Sequence, residues 1–446
     1  MELKYKHLLL GLLLVLVGLI TFYPHYTYTY PLHVDEWQHL AQARSVYTTG
    51  ELSKVNPYFV EGDTYESYEH GFQVFLAMVL YNIGFDPVLA YKFLPALFML
   101  LGAISLFVLV SYLFKNYWIA LLSVVFYLSL KSNVNIYGPW FFVPLTFALP
   151  FVAVFLLTLL KGINEDRRYL LFASLIAALI LAVHPITITF LFPVLAIYFL
   201  MSNNTNKFIL SGLFFALSIV GAFVIQFQYG WGIVEINYLL PEFFGWGASV
   251  MAIIGLIVCM KKKQHLMPIW VLVTLLMIYV FILFDIAFLA PYQRLIFYLL
   301  LGMIPLAALG TYTLATNINS KMIVGVFIAA LLVSSFYNYL DLPSNAELYY
   351  MIDSDQYALI KMLPEESIVV ASQTVSTAAT PISGAKVYTG IIANLKQSGR
   401  AVVNDYFDEP CESTLAFDYA IHDQKIDCDD VTLVEQQGRY RLYRKA

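Results

Sequence analysis

Residues 7–37, "HLLLGLLLVLVGLITFYPHYTYTYPLHVDEW", join a long apolar run to two neighbouring carboxylates. Lys4 and Lys6 precede the run, and no small-residue cleavage pattern follows it. The run therefore predicts a retained first membrane span and not a signal peptide. Asp35 and Glu36 then stand where the chain leaves the bilayer, and ionised side chains near lipid are costly unless they have a function.

The composition is typical of a membrane protein. The 446 residues are 60% hydrophobic and 12% charged, against about 25% charged residues in soluble proteins. A net charge of −5 provides no basic groove, which excludes nucleic acid as a partner and leaves membrane lipid as the expected surrounding. A segment needs roughly 20 apolar residues to cross the hydrocarbon layer. About eleven segments qualify: 7–23, 90–113, 117–131, 139–160, 169–183, 185–201, 207–228, 244–260, 266–289, 294–314 and 321–340.

The distribution of Lys and Arg sets the predicted topology, because short cytoplasmic loops collect these residues. A further apolar stretch at 71–85 is either a twelfth span or a helix that lies in the outer face. If it does not cross, the basic N-terminus, "KGINEDRR" at 161–168 and "KKK" at 261–263 all fall on one side. We therefore predict that 71–85 does not span and that the N-terminus is cytoplasmic.

Two domains follow from this topology. Residues 1–340 form a transmembrane domain whose first outer loop covers about 24–70, and residues 341–446 have the composition of a soluble, extracellular domain. The predicted elements of that domain are strands at 367–372 and 386–392, a helix at 353–363 and a hairpin at 431–444. The sequence thus predicts a polytopic α-helical membrane protein of about 11–12 spans with a small external C-terminal α/β domain.

The three cysteines predict no metal site. Cys259 lies in a predicted span, where it is expected to be a packing residue. Cys411 and Cys428 lie in the outer domain, where they form either a disulfide or two free thiols, since their spacing fits no zinc motif.

The pair Asp35 and Glu36 is the first candidate site. Side chains at adjacent helix positions diverge, so one carboxylate can cap the helix while the other projects away from it. Counting four and seven residues from Asp35 reaches His39 and Gln42, which predicts a polar stripe on one helix face. A carboxylate there can act as general base toward a hydroxyl, while helix capping alone is the equally weighted alternative. His33, Asp35 and His39 match no strong metal-ligand spacing.

Four further sites, with six candidate residues, lie at predicted outer ends of apolar segments. Each has a structural alternative: a solvated loop for Glu69 and His70, a helix junction for His184, snorkelling to lipid headgroups for Arg294, and an aromatic interface belt for Tyr137 and Trp140. The functional readings are substrate contacts for Glu69 and His70, a polar site at membrane depth for His184, phosphate binding for Arg294 and a sugar pocket for Tyr137 and Trp140.

Together these features resemble the GT-C glycosyltransferases, which include protein O-mannosyltransferases, aminoarabinose transferases and the catalytic subunits of oligosaccharyltransferases. The resemblance lies in the layout and in two motifs, "VDEW" at 34–37 and, more loosely, "PYQRLIF" at 291–297. It implies a GT-C-like bundle that transfers a sugar, with inversion, from a polyprenyl-phosphate-linked donor to an acceptor hydroxyl on a lipid, glycan or protein at the outer membrane face.

The same resemblance implies roles for the candidate residues. Asp35 resembles the catalytic base, with Glu36 as neighbour or alternative, and Arg294 resembles the arginine at the donor phosphate, with His184 beside it. His39, Glu69, His70, Tyr137 and Trp140 are then expected to contact substrate.

Two departures from oligosaccharyltransferases narrow this expectation. The loop at 132–138 has Asn133 and Asn135 where those enzymes have an acidic motif, and the outer domain has no tryptophan. We therefore do not expect N-glycosylation of sequons, no cofactor is certain, and the need for a divalent metal is in doubt.

A transporter or lipid flippase without transferase chemistry is the alternative function, and a membrane scaffold ranks below it. Transporters often contain repeated halves with binding groups at the midplane. This sequence shows no fixed repeat, and its candidate residues collect at one predicted face, which favours the transferase.

Overall fold

Helices make up most of the chain, and a small sheet lies near its C-terminus. The structure is a computed structural model, and it describes residues 2–52, 57–60, 69–130, 140–201, 205–229, 244–284, 286, 289–318, 325–330, 348–391 and 399–446. The helices of the N-terminal three quarters are α1 (Glu2–Phe22), α2 (Val34–Thr49), α3 (His70–Leu80), α4 (Pro87–Tyr91), α5 (Leu94–Phe114), α6 (Tyr117–Leu128), α7 (Pro144–Asn164), α8 (Arg168–Val183), α9 (Pro185–Leu200), α10 (Thr205–Tyr229), α11 (Trp246–Lys261), α12 (Leu266–Phe284) and α13 (Tyr292–Ile318).

The C-terminal part alternates helices and strands. In chain order they are α14 (Ser354–Lys361), β1 (Ile368–Ala371), α15 (Gln373–Ser383), β2 (Lys386–Val387), α16 (Gly399–Asp408), β3 (Tyr419–His422), β4 (Val431–Gln437) and β5 (Tyr440–Lys445). The sheet order is β2-β1-β3-β5-β4, with β1 parallel to both neighbours and the β4–β5 hairpin antiparallel.

Within the part of the chain that the structure describes, five helical stretches are long and apolar enough to cross a membrane, which makes the chain a helical membrane protein. They are Tyr5–Tyr26, Pro87–Phe114, Pro144–Asn164, Leu266–Phe284 and Arg294–Asn317. Other predicted spans fall on shorter apolar helices, and most of 321–340 lies outside the described residues. Helix α3 has 11 residues, a length of about 16 Å, and that 71–85 does not cross stays a prediction.

The chain divides into two compact units. The first contains Met1–Phe22 and Pro95–Leu342, and the second contains Tyr23–Leu94 and Pro343–Ala446. The segment after the first helix and the C-terminal part thus belong to one unit.

Glycines lie at the crossing of helices α11 and α13 and let the two backbones approach closely. A Cβ atom added to Gly255 would lie 1.8 Å from the carbonyl oxygen of Leu306, and one added to Gly310 would lie 2.0 Å from that of Met251. Small residues at such crossings let helix backbones approach in a membrane bundle. The crossing holds α13, which carries Arg294, firmly within the unit.

The second unit confirms most of the predicted α/β elements. Helix α14 begins at the Asp353 cap, whose carboxylate accepts a bond from the Gln356 amide, and the 431–444 hairpin turns at Gly438 with a φ of 55°. The strand predicted at 386–392 is shorter than expected. It ends at Val387, because β2 pairs with only two residues of β1.

The cysteines of the second unit form a bridge. Cys411 and Cys428 are disulfide-bonded, which selects one of the two alternatives that the sequence left open. Cys259 is a buried free thiol, as expected of a packing residue.

Candidate functional site

The neighbouring carboxylates at the start of α2 have different surroundings. Glu36 is 1% exposed, and its Oε2 atom accepts hydrogen bonds from the backbone amides of Leu32 (2.7 Å) and His33 (3.0 Å). His33 is the N-cap, and its Nδ1 atom accepts a bond from the Asp35 amide at 3.2 Å. Glu36 therefore forms one half of a capping box, and it satisfies amides that the helix cannot pair.

The Asp35 side chain is the more accessible of the two. It is 19% exposed, and its Oδ2 atom lies 3.9 Å from Nδ1 of His33. The expected division of roles is present, with one residue capping and the other directed outward, but the cap is Glu36 and the N-cap partner is a histidine.

The polar stripe on α2 faces the beginning of α3. Nε2 of His39 lies 3.9 Å from Oε2 of Glu69, and Nε2 of Gln73 donates a hydrogen bond to Oε1 of Gln42 at 2.7 Å. Oε1 of Gln73 lies 3.4 Å from Nδ1 of His70. These contacts join two motifs that are about 30 residues apart. We refer to the group as the α2–α3 polar cluster, which consists of His39, Gln42, Glu69, His70 and Gln73.

Both ends of α2 are fixed by the C-terminal part of the second unit. His33 pairs with Tyr349 in an antiparallel bridge, in which the Val34 amide donates to the Leu348 carbonyl oxygen at 3.2 Å. At the other end, Arg44 donates to the carbonyl oxygens of Ile382 and Ser383, at the C-terminal end of α15. A guanidinium at a helix C-terminus meets unpaired carbonyls and the negative end of the dipole. Asp35 is thereby held on a helix with little freedom to move.

Burial makes the ring of His39 neutral. The side chain is 7% exposed, and its ring lies edge-on to that of Phe72 at 5.1 Å. Desolvation lowers the pKa of His39 to about 4, against the smaller opposing effects of the Asp35 charge and the Gln42 hydrogen bond. At neutral pH the ring is therefore a hydrogen-bonding group, and it does not neutralise Asp35.

We expect this pKa to make the protein less stable in acid. In the folded state His39 takes up a proton only near pH 4, whereas the unfolded chain does so near 6.5. The contribution of His39 to the free energy of unfolding is therefore fully present above about pH 6.5. It is lost as the pH falls toward 4, and the loss is at most roughly 3 kcal/mol. The measurement is the melting temperature of the full chain in detergent between pH 7 and 4.5. His39→Gln, which stays neutral, should melt near the wild type at pH 7 and lose less on acidification. An equal loss in both proteins would contradict the neutral, buried His39.

A second polar group lies in the first unit, at the junction of α8 and α9. His184 ends α8 and Pro185 begins α9. The imidazole is 3% exposed, and its Nδ1 atom lies 2.6 Å from Oγ1 of Thr187, which in turn lies 2.8 Å from the hydroxyl of Tyr298. Tyr298 stacks on Phe190 with ring centroids 4.3 Å apart. The sequence-predicted helix junction is therefore also a buried polar chain that reaches α13.

Arg294 lies one helical turn before Tyr298, so both belong to one face of α13. Its side chain is partly exposed in the first turn of the helix, and its amide bonds to the Pro291 carbonyl oxygen at 3.0 Å. A cation at a helix N-terminus is opposed by the helix dipole, by about 0.3–1 kcal/mol. An anion bound beside it would reverse this sign.

The remaining candidate residues, Tyr137 and Trp140, were predicted to line a sugar pocket. Trp140 is 1% exposed, so its indole is packed in the interior and does not form an open sugar platform. Tyr137 and the 132–138 loop lie outside the described residues. Among the described residues no group of three or more His, Cys, Asp or Glu side chains is arranged to hold a metal ion, so no residue is assigned to a metal here.

Four structural partners were not predicted as site residues. Gln73 pairs with Gln42, Arg44 fixes the end of α2, and Thr187 and Tyr298 connect His184 to α13. Of these four, Tyr298 could have been identified from the sequence, since it follows Arg294 by four residues on an apolar helix.

The fold is similar to that of membrane glycosyltransferases of known structure. The apo oligosaccharyltransferase of Archaeoglobus fulgidus aligns with a TM-score of 0.57 and 10% identity, over 92% of this chain and 69% of that chain. The archaeal oligosaccharyltransferase AglB from the same organism, in complex with an inhibitory peptide and a dolichol-phosphate, aligns with a TM-score of 0.54 and 10% identity, over 94% and 69%. ArnT from Cupriavidus metallidurans, bound to undecaprenyl phosphate, aligns with a TM-score of 0.59 and 12% identity, over 97% of both chains. No protein-family model and no curated protein sequence matches the chain. The predicted GT-C resemblance is confirmed for the fold.

Proposed function

We propose that this chain is a glycosyltransferase that moves a sugar from a polyprenyl-phosphate-linked donor to an acceptor hydroxyl at the outer membrane face, with inversion. The observation that carries the proposal is the division of roles at the start of α2. Glu36 is buried as a capping residue, and Asp35 presents a partly exposed carboxylate on a fixed helix. Because Glu36 fills the capping role, the partly exposed Asp35 carboxylate is the candidate for the base.

In the proposed reaction Asp35 takes the proton of the acceptor hydroxyl. The acceptor oxygen then forms a bond to the anomeric carbon, and the bond between that carbon and the phosphate oxygen breaks. Polyprenyl phosphate leaves with the electron pair, and the proton stays on Asp35. A positioned base of this kind contributes about 10²–10⁴-fold in rate.

Arg294 binds the donor phosphate in this proposal. Its guanidinium forms a planar fork that matches two phosphate oxygens and offsets the negative charge that builds on the leaving group. The His184–Thr187–Tyr298 chain keeps the neighbouring turn of α13 in place. His39, Glu69 and His70, which belong to the α2–α3 polar cluster, are the proposed contacts for the acceptor.

The similar structures support a lipid-linked donor. One of them was determined with a dolichol-phosphate and another with undecaprenyl phosphate, while a third carries an acceptor peptide with the NVT sequon. The low sequence identity limits this support to the fold, so the donor, the acceptor and the roles of the residues are proposals for this chain.

The test separates a transferase from a flippase. Membranes that contain the chain are supplied with a radiolabelled polyprenyl-phosphate hexose, and the released polyprenyl phosphate is quantified. A transferase releases it in step with the loss of labelled sugar from the lipid, whereas a flippase moves the intact lipid between leaflets and releases none. Translocation without release would reject the proposal in favour of the transporter.

The proposed outer location of the second unit gives a separate prediction. In a Cys259→Ala background, a membrane-impermeant maleimide added from outside should label Met362→Cys and should not label Lys262→Cys. Both positions are exposed, so the difference reports the side of the membrane and not burial. The basic "KKK" at 261–263 is the reason for placing Lys262 inside. The reverse labelling pattern would contradict the topology.

A further inference from the structure

A cavity of about 390 Å³ lies in the second unit at the carboxyl ends of its parallel strands. The chain leaves β1 at Ala371 and reaches β2 through α15, and it then returns through α16 to β3 on the other side of β1. The strand order reverses between β1 and β3. In open α/β sheets this reversal leaves a crevice at the carboxyl ends, which is where ligands bind. The volume falls within the range of about 300–1,000 Å³ of small-molecule sites.

The cavity is lined mostly by polar side chains from separate elements. Gln373 and Thr374 follow β1, Asp423 follows β3, and Arg400 and Asn404 lie one turn apart on α16. Carboxamides both donate and accept hydrogen bonds, guanidinium only donates and carboxylate only accepts. This mixture suits a ligand that carries many hydroxyl groups, since each hydroxyl is both donor and acceptor.

One wall of the cavity is aromatic. The ring of Phe407, one further turn along α16, stacks on the ring of His422 with centroids 4.1 Å apart and planes 18° apart. The His422 Nδ1 atom accepts a bond from the Gln424 amide at 3.1 Å, and burial lowers the pKa of His422, so the ring is uncharged at neutral pH. A flat, uncharged aromatic surface beside hydrogen-bonding groups matches a pyranose, whose C–H face is apolar and whose rim is polar.

Other ligand classes fit this lining less well. The turn between β1 and α15 reads "SQT" and has no glycine, so its backbone cannot approach a pyrophosphate as a nucleotide-binding loop does. The Asp423 carboxylate would repel a phosphate bound beside Arg400. A lipid tail would leave the polar lining without hydrogen bonds.

We propose that this cavity binds a saccharide of about one or two residues, and that this saccharide belongs to the acceptor. The assignment of this saccharide to the acceptor rests on the proposed function. It makes the acceptor a glycan and not a sequon or a free lipid hydroxyl. The cavity is then a binding subsite, which holds the acceptor by its sugar units while a terminal hydroxyl reacts elsewhere.

The binding test does not need transfer activity. The full chain in detergent, fluorescently labelled, is applied to an array of lipid-free oligosaccharides built from mannose, glucose, galactose and N-acetylglucosamine. We expect wild type to retain a subset. Arg400→Ala and Asn404→Ala should each bind that subset about tenfold more weakly, because each removes hydrogen bonds to hydroxyl groups. Asp405→Ala is the matched control. Asp405 lies on the same helix, but it is exposed and does not line the cavity. Alanine is a good helix former, so all three variants should fold.

The outcomes separate the two proposals. Retention by wild type, Asp35→Asn and Asp405→Ala, with loss in the cavity variants, supports the saccharide site whatever the transfer rate.

If the retained oligosaccharide is then used as acceptor, Asn404→Ala should raise its KM about tenfold and leave the KM of the lipid-linked donor unchanged. A rise in the donor KM instead would assign the cavity to the donor sugar and overturn the acceptor assignment. No retention by wild type, or equal retention by the cavity variants, would overturn the site even in an active transferase. Retention in a chain that never releases polyprenyl phosphate would keep the site and reject the proposed function.

Discussion

Asp35→Asn should lower the rate of sugar transfer by about 10²–10⁴-fold while the protein still inserts and folds. The substitution removes the basicity and the charge of the side chain and keeps its size. The capping bonds involve the Asp35 backbone amide and the Glu36 carboxylate, which both remain. The measurement is transfer from a radiolabelled polyprenyl-phosphate sugar in membranes that contain equal amounts of each variant.

Asp86→Asn is the matched control for this substitution. Asp86 is the N-cap of α4 in the same unit, and it accepts a hydrogen bond from Lys361 at 2.8 Å. Burial alone would raise the pKa of Asp86, but the bonds from Lys361 and Tyr357 hold it below its usual value. Its replacement should therefore lower the melting temperature and leave the turnover of each folded molecule unchanged.

Glu36→Gln decides between the two carboxylates. It weakens the bonds to the Leu32 and His33 amides, so it should cost stability, roughly 1 kcal/mol, with turnover retained in the folded fraction. Near-normal transfer by Asp35→Asn with collapse in Glu36→Gln would make Glu36 the base. Near-normal transfer by both variants would leave "VDEW" as a helix cap.

The sequence could predict that one carboxylate caps α2, but it could not predict which one. The usual N-cap residues are Ser, Thr, Asp and Asn, and these favour Asp35 as the cap. In the structure His33 takes that position, and its ring accepts the amide bond that a hydroxyl or carboxylate normally accepts. The capping box therefore begins two residues earlier than the pattern suggests, which is what assigns Glu36 to the cap.

The polar stripe was predictable as a helix face but not as a cluster. The spacing of Asp35, His39 and Gln42 follows from helical periodicity alone. Their partners Glu69 and Gln73 lie on another helix, and the packing that brings them together depends on apolar contacts such as that between His39 and Phe72. The same limit applies to the pairing of His33 with Tyr349, which joins segments more than 300 residues apart. Composition along the chain reports where the soluble part begins, and it carries no information on such distant pairing.

Arg294→Lys should weaken donor binding about 10–100-fold, and Arg294→Ala should weaken it further, with little change in melting temperature. A charge-assisted bond is worth about 1.5–3 kcal/mol, and an ammonium offers a point donor where guanidinium offers a planar fork. An arginine that only snorkels would tolerate lysine, because both side chains reach the headgroups. The readouts are the KM for the lipid-linked donor and the inhibition of transfer by added polyprenyl phosphate.

Arg168→Lys provides the comparison for Arg294→Lys. Arg168 also begins an apolar helix, α8, but it is exposed in the basic 161–168 loop that we place in the cytoplasm. A general effect of replacing arginine at a membrane surface would appear in both variants, whereas a phosphate contact would appear only at Arg294. The partly exposed position in the first turn of α13, where the helix dipole disfavours a cation, is the physical reason to expect the difference. If Arg294→Lys transfers sugar at the wild-type rate with an unchanged donor KM, Arg294 does not bind the phosphate, and the donor must be held by other residues.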